Sequence, residues 1–263
     1  MRDTRLIVIT PDIQVPFHVP RMVRAHIDFI GDIQPDLVVN IGDLIDLPEP
    51  SRWTEGTRGE FETRIWEDVE TTKRVYFQPL RRVYSGPVVM HIGNHDARAL
   101  DYQKRRAPAL DYTNDKDSPY YAGNLLDFDG FGVEDAGDFY KVAPGWESTH
   151  GHKVAASLSR DPGKTALNEA RYKRGNSIVM GHTHRLAAIP DTTGIGPKQR
   201  VLWGMEVGCF MDQTKANYLN KKGGWANWQH GFGVLYVDGN RVTPVAVPVN
   251  KDGSFIFEGK KWT

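Results

Sequence analysis

The sequence LVVNIGDLID at residues 37–46 decides the fold, because an apolar run passes directly into a loop with two carboxylates. The run Leu37–Ile41 is short and rich in β-branched residues, which predicts a buried strand. Two similar units flank it along the chain: Leu6–Ile9 runs into a polar loop, and Pro87–Ile92 runs into Gly93-Asn94-His95-Asp96. Strands that end in polar loops, with helical segments between them, predict a largely parallel first sheet.

The remaining segments complete an α/β pattern. Arg21–Ile30 has helical spacing, and residues 60–84 predict a long amphipathic helix that Pro79 breaks or kinks. Residues 97–137 are rich in Asp, Tyr and Asn and are interpreted as an irregular insertion with short helices. The second half predicts one helix, Lys164–Lys173, among the strands Phe139–Val142, Trp146–Thr149, Ile178–Met180, Val201–Val207, Gly233–Val237 and Val242–Val247. Because no Pro/Gly/Ser linker separates the halves, we expect residues 1–263 to form a single domain.

Composition narrows the classes of function. The chain has 263 residues, with 33 Lys and Arg balanced by 33 Asp and Glu, so its formal net charge is zero. Proteins that grip nucleic-acid backbone usually carry a basic excess, so a nucleic-acid partner is allowed but not indicated by charge. Cys209 is the one cysteine, which excludes an internal disulfide and a cysteine-based metal motif. The short apolar run at the N-terminus fits neither a signal peptide nor a membrane span, so we expect a cytoplasmic protein without membrane contact.

Metal-competent side chains follow the predicted strands. Asp12, Asp43 and Asn94 each come just after an apolar run, at the sheet edge where ligands bind in open α/β sheets. Five of the nine histidines fall in three loops of the same kind, at His95, His150, His152, His182 and His184. A mixture of carboxylate, amide and imidazole ligands suits two divalent ions that clamp a phosphoryl group.

The motifs, taken in order, resemble those of the calcineurin-like metallophosphoesterases. They are Asp12-Ile13-Gln14, Gly42-Asp43-Leu44-Ile45-Asp46, Gly93-Asn94-His95-Asp96, His150-Gly151-His152 and Gly181-His182-Thr183-His184. The resemblance implies a four-layer α/β/β/α sandwich of two mixed sheets, with the metals at the strand ends and residues 97–137 as an insertion near the site.

The resemblance also implies roles at the matching positions. One metal would be held by Asp12, Gln14 and His184, the second by Asn94, His150 and His182, and Asp43 would bridge the two. His95 would act as a general acid or as a donor to the phosphate, and Asp96 would orient it. The resemblance further implies that Asp46 would contact the metal ligands without binding a metal itself. His152 and Arg98 would face the substrate.

Gln14 departs from the family pattern, which usually has Asp-x-His at the first motif. An amide oxygen is a weaker ligand than imidazole for Zn²⁺ or Fe²⁺. We therefore expect a more weakly bound first metal and a preference for Mn²⁺, with Fe²⁺, Zn²⁺ and Ni²⁺ as the alternatives.

The resemblance favours hydrolysis of a small phosphodiester or nucleotide, either a cyclic nucleotide or a nucleic-acid end, by a hydroxide that bridges the metals. The enzymatic alternative is a phosphomonoesterase or protein phosphatase, but such members usually have Arg where this chain has Leu47. The third hypothesis is a non-catalytic binding scaffold, and the retained His95 argues against it. Trp225 and Trp228 could stack on a base or simply pack in a loop. Oligomeric state is not indicated.

Overall fold

The computed structural model describes residues 4–62, 64–154, 158–216 and 226–263. Its strands are β1 (Arg5–Thr10), β2 (Leu37–Asn40), β3 (Val88–Met90), β4 (Val133–Asp135), β5 (Tyr140–Ala143), β6 (Trp146–Thr149), β7 (Ser177–Met180), β8 (Leu186–Thr193), β9 (Arg200–Val207), β10 (Gly231–Asp238), β11 (Arg241–Pro248), β12 (Phe255–Phe257) and β13 (Lys260–Trp262). Its α-helices are α1 (Pro20–Ile33), α2 (Ile65–Thr72), α3 (Gln78–Val83), α4 (Arg98–Arg106), α5 (Ala122–Leu125), α6 (Phe128–Phe131) and α7 (Lys164–Glu169).

The first sheet has the strand order β11-β10-β1-β2-β3-β4. Strands β1 to β4 pair in parallel, whereas β10 and β11 join the other side of β1 in antiparallel pairs. The predicted parallel βαβ core is therefore confirmed within a mixed sheet. Because parallel strands point the same way, the loops after β1, β2 and β3 all leave the same edge.

Successive side chains of β1 alternate between two cores, as a pleated strand requires. Leu6 and Val8 pack with the residues of α1, whereas Ile7 and Ile9 pack against the second sheet. A run that is apolar at every position therefore marks a strand with helices on one face and another sheet on the other.

The second sheet, of order β5-β6-β7-β9-β8, is also mixed. Val179 in β7 packs in the core between the sheets, while its neighbours Ile178 and Met180 pack with Ala166 of α7 on the outer face. Helices thus cover the outer face of each sheet, and the expected four-layer α/β/β/α sandwich of two mixed sheets is confirmed. Strands β6 and β7 are parallel, so their following loops, with His150 and His182, also share an edge.

The predicted helix over residues 60–84 begins later than expected. Arg58–Phe61 forms a 3₁₀ turn, and the helix starts at Ile65. A π-helical turn, Lys73–Phe77, joins α2 to α3 ahead of Pro79. The wider turn accommodates a proline that cannot donate to the preceding turn, so the kink takes the form of a π-bulge. None of the helices in the described residues is long and apolar enough to cross a bilayer.

Three regions differ from the sequence interpretation. No strand was predicted after Val247, whereas β12 and β13 form an antiparallel hairpin. Strand β8 was not predicted, because Pro190 interrupts a weakly apolar segment; the proline is tolerated because β8 lies at the edge of its sheet. Residues 97–137 contain α4, α5 and α6 as expected for short helices, but they also contain β4, which completes the first sheet. The single-domain boundary at residues 1–263 stays a prediction.

His26 gives the fold a pH dependence that can be measured. Its ring is buried in α1 beside Phe232 and Phe210, and its Nε2 lies 3.0 Å from Thr10 Oγ1. Burial lowers the pKa of His26 from 6.5 to about 3. The unfolded chain therefore takes up this proton first as the pH falls, so the stability contribution is complete above pH 6.5 and declines towards pH 3. We expect His26 alone to reduce the free energy of unfolding by about 2 kcal/mol between about pH 8 and pH 5.

Urea denaturation of wild type and His26→Leu at both pH values checks this expectation. The variant should lose the part of the pH dependence of the unfolding free energy that His26 causes. The substitution does not leave Thr10 unpaired, because the hydroxyl of Tyr76 donates to Thr10 Oγ1 at 3.2 Å. An identical pH slope in the two proteins would contradict the assignment.

Candidate metal centre

Asp43 lies at the middle of the loops that leave the two sheets. Its carboxylate is buried, and Oδ1 accepts the backbone N–H of His95 at 2.8 Å. Its Oδ2 lies 3.1 Å from Gln14 Nε2 and 3.3 Å from His150 Nε2. Burial would raise the pKa of Asp43, but the charge of the nearby His150 holds it well below its usual value. The side chain is therefore an anion that faces both of the groups predicted to hold metals.

The first group contains Asp12, Gln14 and His184. Asp12 Oδ2 lies 3.2 Å from His184 Nε2 and accepts the backbone N–H of His182 at 2.9 Å. Gln14 follows Asp12 by two residues in the same loop, and its amide donates to Asp43. The structure therefore brings together the three side chains that the sequence predicted for the first metal.

The second group contains Asn94, His150 and His182, with Asp43. One ligand atom from each of Asp43, His150 and His182 lies within 4.8 Å of the others, and Asn94 Oδ1 lies 3.3 Å from His150 Nε2. His150 Nδ1 is 2.9 Å from the carbonyl of Ile41, which orients Nε2 towards Asp43. Burial would lower the pKa of His150, but the carboxylate of Asp43 raises it to about 9.

These two groups, which we call the metal centre, fit divalent ions. Within the described part of the chain, Asp12 Oδ1 and Gln14 Oε1 are buried oxygens without a hydrogen-bond partner. Buried polar atoms are rarely left unpaired unless an ion or water satisfies them. Carboxylate and amide oxygens together with imidazoles suit Mn²⁺, Fe²⁺, Zn²⁺ or Ni²⁺ better than Ca²⁺ or Mg²⁺, which prefer oxygen alone.

The backbone of the metal centre is strained. Gln14, Asp43, His182 and His184 have φ values of 61°, 51°, 64° and 56°, in the left-handed region that non-glycine residues rarely adopt. Each such residue costs on the order of 1–3 kcal/mol, and such residues cluster at functional sites. Gly93 is required for a different reason, since a Cβ there would overlap the carboxylate of Asp43.

His95 is held from both sides. Its Nδ1 lies 3.1 Å from Asp46 Oδ2, and its Nε2 lies 3.2 Å from a guanidinium nitrogen of Arg98. Because arginine can only donate, Nε2 must be the acceptor, and Nδ1 carries the proton that is donated to Asp46. Arg98 also donates to Asp46 Oδ1 at 2.8 Å. These contacts hold the ring of His95 in one orientation beside the metal centre.

The contact predicted between Asp96 and His95 is corrected by the structure. Asp96 Oδ2 accepts the backbone N–H groups of Asp43 and Gly93, and Oδ1 accepts that of Ile45. Burial and the neighbouring Asp43 raise the pKa of Asp96 to about 7. Asp96 therefore ties the second and third motif loops together, and Asp46 takes the orienting contact with His95.

Two further predicted positions lie beside the histidines. The ring of His152 lies 5.2 Å from that of His150, and burial lowers the pKa of His152 to about 4. Trp228 lies against His184, with ring centroids 4.2 Å apart, whereas Trp225 lies outside the described residues. A substrate-facing role for His152 and Arg98 stays a prediction.

Glu206 supports the last motif and was missed in the sequence. It is buried in β9 and accepts hydrogen bonds from Thr183 Oγ1 at 2.8 Å and from the backbone N–H of Thr165 at 3.1 Å. It thereby fixes the turn that carries His182 and His184. The available signal was a single carboxylate within the apolar run of β9, since a buried charge needs fixed partners.

Gln14→His is expected to strengthen binding of the first metal at least about tenfold, or about 1.4 kcal/mol. Imidazole is the better ligand for late transition metals, and histidine already adopts left-handed backbone at His182 and His184. Calorimetric titration of stripped protein with Zn²⁺ and Mn²⁺ measures the change. Gln14→Leu is the matched control and should weaken binding; a histidine variant no tighter than wild type would show that this position is not a ligand.

The chain is similar to a protein family, to two phage proteins and to solved structures. The sequence profile of the family described as calcineurin-like phosphoesterase matches residues 6–186. The Gene 54 proteins of Mycobacterium phages L5 and D29 are each 49% identical, over 260 and 259 residues, covering 98% of this chain and 99% of each of those proteins. A structure of Vps29 from Entamoeba histolytica complexed with zinc has 14% identity and a TM-score of 0.45, covering 97% of this chain and 95% of that chain.

Proposed function

Because this chain belongs to the calcineurin-like phosphoesterase family and is therefore a metal-dependent phosphoric ester hydrolase, we propose that its substrates are phosphodiesters. The proposed substrates are cyclic nucleotides or the ends of nucleic-acid strands. A cytoplasmic location stays a prediction from the sequence.

We assign two divalent ions to the metal centre, with Mn²⁺ favoured. Asp12, Gln14 and His184 are the proposed ligands of one ion, Asn94, His150 and His182 those of the other, and Asp43 is shared. Ions bound there would lower the pKa of a water molecule and neutralise charge on the phosphate oxygens. The unpaired buried oxygens of Asp12 and Gln14 support this assignment.

His95 and Arg98 supply the chemistry of the protein itself. A phosphate oxygen that accepts from Arg98 would draw the guanidinium away from His95 Nε2. That nitrogen could then take a proton from solvent, and Asp46 on the opposite side of the ring would stabilise the imidazolium. His95 would then pass the Nε2 proton to the leaving oxygen as the ester bond breaks.

The charge beside His95 is the observation that favours diesters. Among the described residues, Arg98 is the one guanidinium that hydrogen-bonds a side chain of the five motifs, and Asp46 partly neutralises it at 2.8 Å. A monoester phosphate carries a charge of about −1.5 to −2 near neutral pH, whereas a diester carries a single charge. One partly neutralised arginine suits the smaller charge.

Two alternative functions are less well supported by the residues at the site. The phosphomonoesterase or protein-phosphatase reading is weakened at position 47, where buried Leu47 occupies the place of an arginine in those members. The non-catalytic scaffold reading is weakened by His95 and its fixed contacts with Asp46 and Arg98.

The test uses metal-stripped protein with a chromogenic phosphodiester and the matching monoester, assayed with added Mn²⁺. We expect metal-dependent turnover, with kcat/KM at least about tenfold higher for the diester, a difference of about 1.4 kcal/mol. A higher value for the monoester would favour the phosphatase alternative. Folded protein without turnover in Mn²⁺, Ni²⁺, Zn²⁺ or Fe²⁺ would favour the scaffold.

A further inference from the structure

The segment of residues 47–62, which we call the aromatic loop, leaves the metal centre directly. It begins one residue after Asp46, whose carboxylate contacts both His95 and Arg98. Arg98 also donates to the backbone carbonyl of Asp46 at 2.7 Å, which fixes the start of the loop. The aromatic loop therefore begins at a residue that is in contact with His95 and Arg98.

Two of the four glutamates of the aromatic loop are engaged by α4. Glu55 pairs with Arg105 at 3.0 Å and with Arg106 at 3.1 Å, and Glu60 accepts a hydrogen bond from Tyr102 at 2.8 Å. These contacts hold the loop on the helix that starts beside His95, and the two arginines compensate the charge of Glu55, whereas Glu62 is exposed.

The side chains that the aromatic loop exposes to solvent include large aromatic rings and arginines. Trp53 and Phe61 are 82% and 72% exposed, and Trp66, in the first turn of α2, is 59% exposed. Arg52 directly precedes Trp53, and Arg58 lies between Trp53 and Phe61 in the sequence. Both are exposed, and neither has an ion-pair partner within the part of the chain that the structure describes. Large apolar side chains exposed to solvent along one segment are a feature of binding surfaces.

We propose that the aromatic loop binds single-stranded nucleic acid and presents one of its phosphodiesters to His95 and Arg98; this inference rests on the proposed function. Bases stack on exposed aromatic rings without regard to sequence, and interleaved arginines neutralise the phosphates between them. Stacking on side chains requires unpaired bases, so a single strand fits and a duplex does not. The loop carries four glutamates and two arginines, and Arg105 and Arg106 of α4 balance that difference. Ring stacking is therefore the main proposed contact, with Arg52 and Arg58 as local partners for phosphates.

Binding is tested first without metal, so that cleavage does not interfere. Fluorescence anisotropy follows a labelled oligothymidylate of about 16 nucleotides, the upper site size of a compact single-strand binder, added to EDTA-treated protein. Trp53→Ala and Phe61→Ala are each expected to weaken binding about tenfold. Tyr172→Ala is the matched control, since Tyr172 is 72% exposed with Arg171 above its ring but lies beyond α7 on the other outer layer, and it should bind as wild type does.

The arginines are tested through the salt dependence. Each single-strand phosphate neutralised contributes about 0.7 to the slope of log K against log salt, so the double variant Arg52→Gln/Arg58→Gln should lower the slope by about 1.4. Exposed Arg82 lies in α3, away from the loop, and Arg82→Gln should leave the slope unchanged. Equal slopes in all three proteins would overturn the assignment of these arginines and with it the proposed strand path.

Activity separates this inference from the proposed function. With Mn²⁺, Trp53→Ala should raise KM for the oligonucleotide about tenfold and leave kcat/KM for a small chromogenic diester unchanged. If no diester is hydrolysed but metal-free binding follows the loop variants, the proposed function fails and the strand site stands. The strand site is overturned if loop and control variants bind alike, if a duplex of the same length binds as tightly, or if Trp53→Ala changes only self-association in sedimentation, which would identify a surface between copies.

Discussion

Asp43→Asn is expected to lower kcat/KM for a phosphodiester at least about a thousandfold while the protein stays folded. The substitution keeps the shape of the side chain and removes the one charge that both halves of the metal centre face. Asp43 Oδ2 lies within 3.3 Å of both Gln14 Nε2 and His150 Nε2, so a neutral amide there weakens both proposed ion sites together. Metal content and turnover measured on the same preparation check the result.

Asp43→Asn also tests whether the charge of Asp43 is what raises the pKa of His150. In metal-free protein Asp43 raises the pKa of His150 to about 9 against the effect of burial, so the pKa should fall below 6.5 when the carboxylate becomes an amide. A protonated imidazole cannot ligate a metal, so wild-type affinity should rise with pH up to about 9. This slope should be weaker in the variant, where His184, whose pKa is raised by Cys209 and Asp12, still loses a proton. Histidine NMR titration and metal binding at several pH values report the two effects.

Asp138→Asn is the matched control for charge removal near the site. Asp138 is exposed and pairs with Lys153, beyond the histidines, so its loss should leave metal content and turnover within about twofold of wild type. Retention of both ions and of a tenth or more of the activity by Asp43→Asn would show that Asp43 is not shared between them.

The sequence predicted the central fold because its local signals agree with the tertiary structure. Strands β1, β2 and β3 are apolar at successive positions, which is what a strand buried on both faces requires. The loops after them carry Asp12, Asp43 and Asn94, so parallel pairing was enough to bring these side chains together. By contrast, Pro190 concealed β8, because a proline argues against a strand unless the strand is known to lie at a sheet edge.

The site shows why adjacency in sequence is a poor guide to contact. Asp96 follows His95 directly, yet its carboxylate turns to the backbone of the second motif, whereas Asp46, 49 residues before His95, meets the ring. The positive φ values at Gln14 and His184 were also not evident, because neither residue type signals left-handed backbone as glycine does. Such strain depends on the surrounding loops and cannot be read from a single position.

His95→Ala is expected to reduce kcat by about 10² to 10⁴-fold while metal content is unchanged. His95 lies 3.9 Å from Asp43 through Nε2, but its hydrogen bonds go to Asp46 and Arg98, so its removal should leave the ligands in place. Turnover at saturating substrate, together with metal analysis, separates loss of chemistry from loss of an ion.

The leaving group distinguishes the two roles open to His95. A general acid matters most for a poor leaving group such as an alkoxide, which must be protonated, and least for a nitrophenolate, which leaves without a proton. If His95 is the acid, His95→Ala should lose at least about tenfold more activity on an alkyl diester than on a nitrophenyl diester. If His95 only donates a hydrogen bond to the phosphate, His95→Ala should lower activity on both substrates by the same factor. His95→Gln, which keeps an N–H donor, should then recover activity on both. If His95 is the acid, Asp46→Asn should also reduce activity on the alkyl diester, because the amide removes the charge that would stabilise the imidazolium. It should have little effect on the nitrophenyl diester.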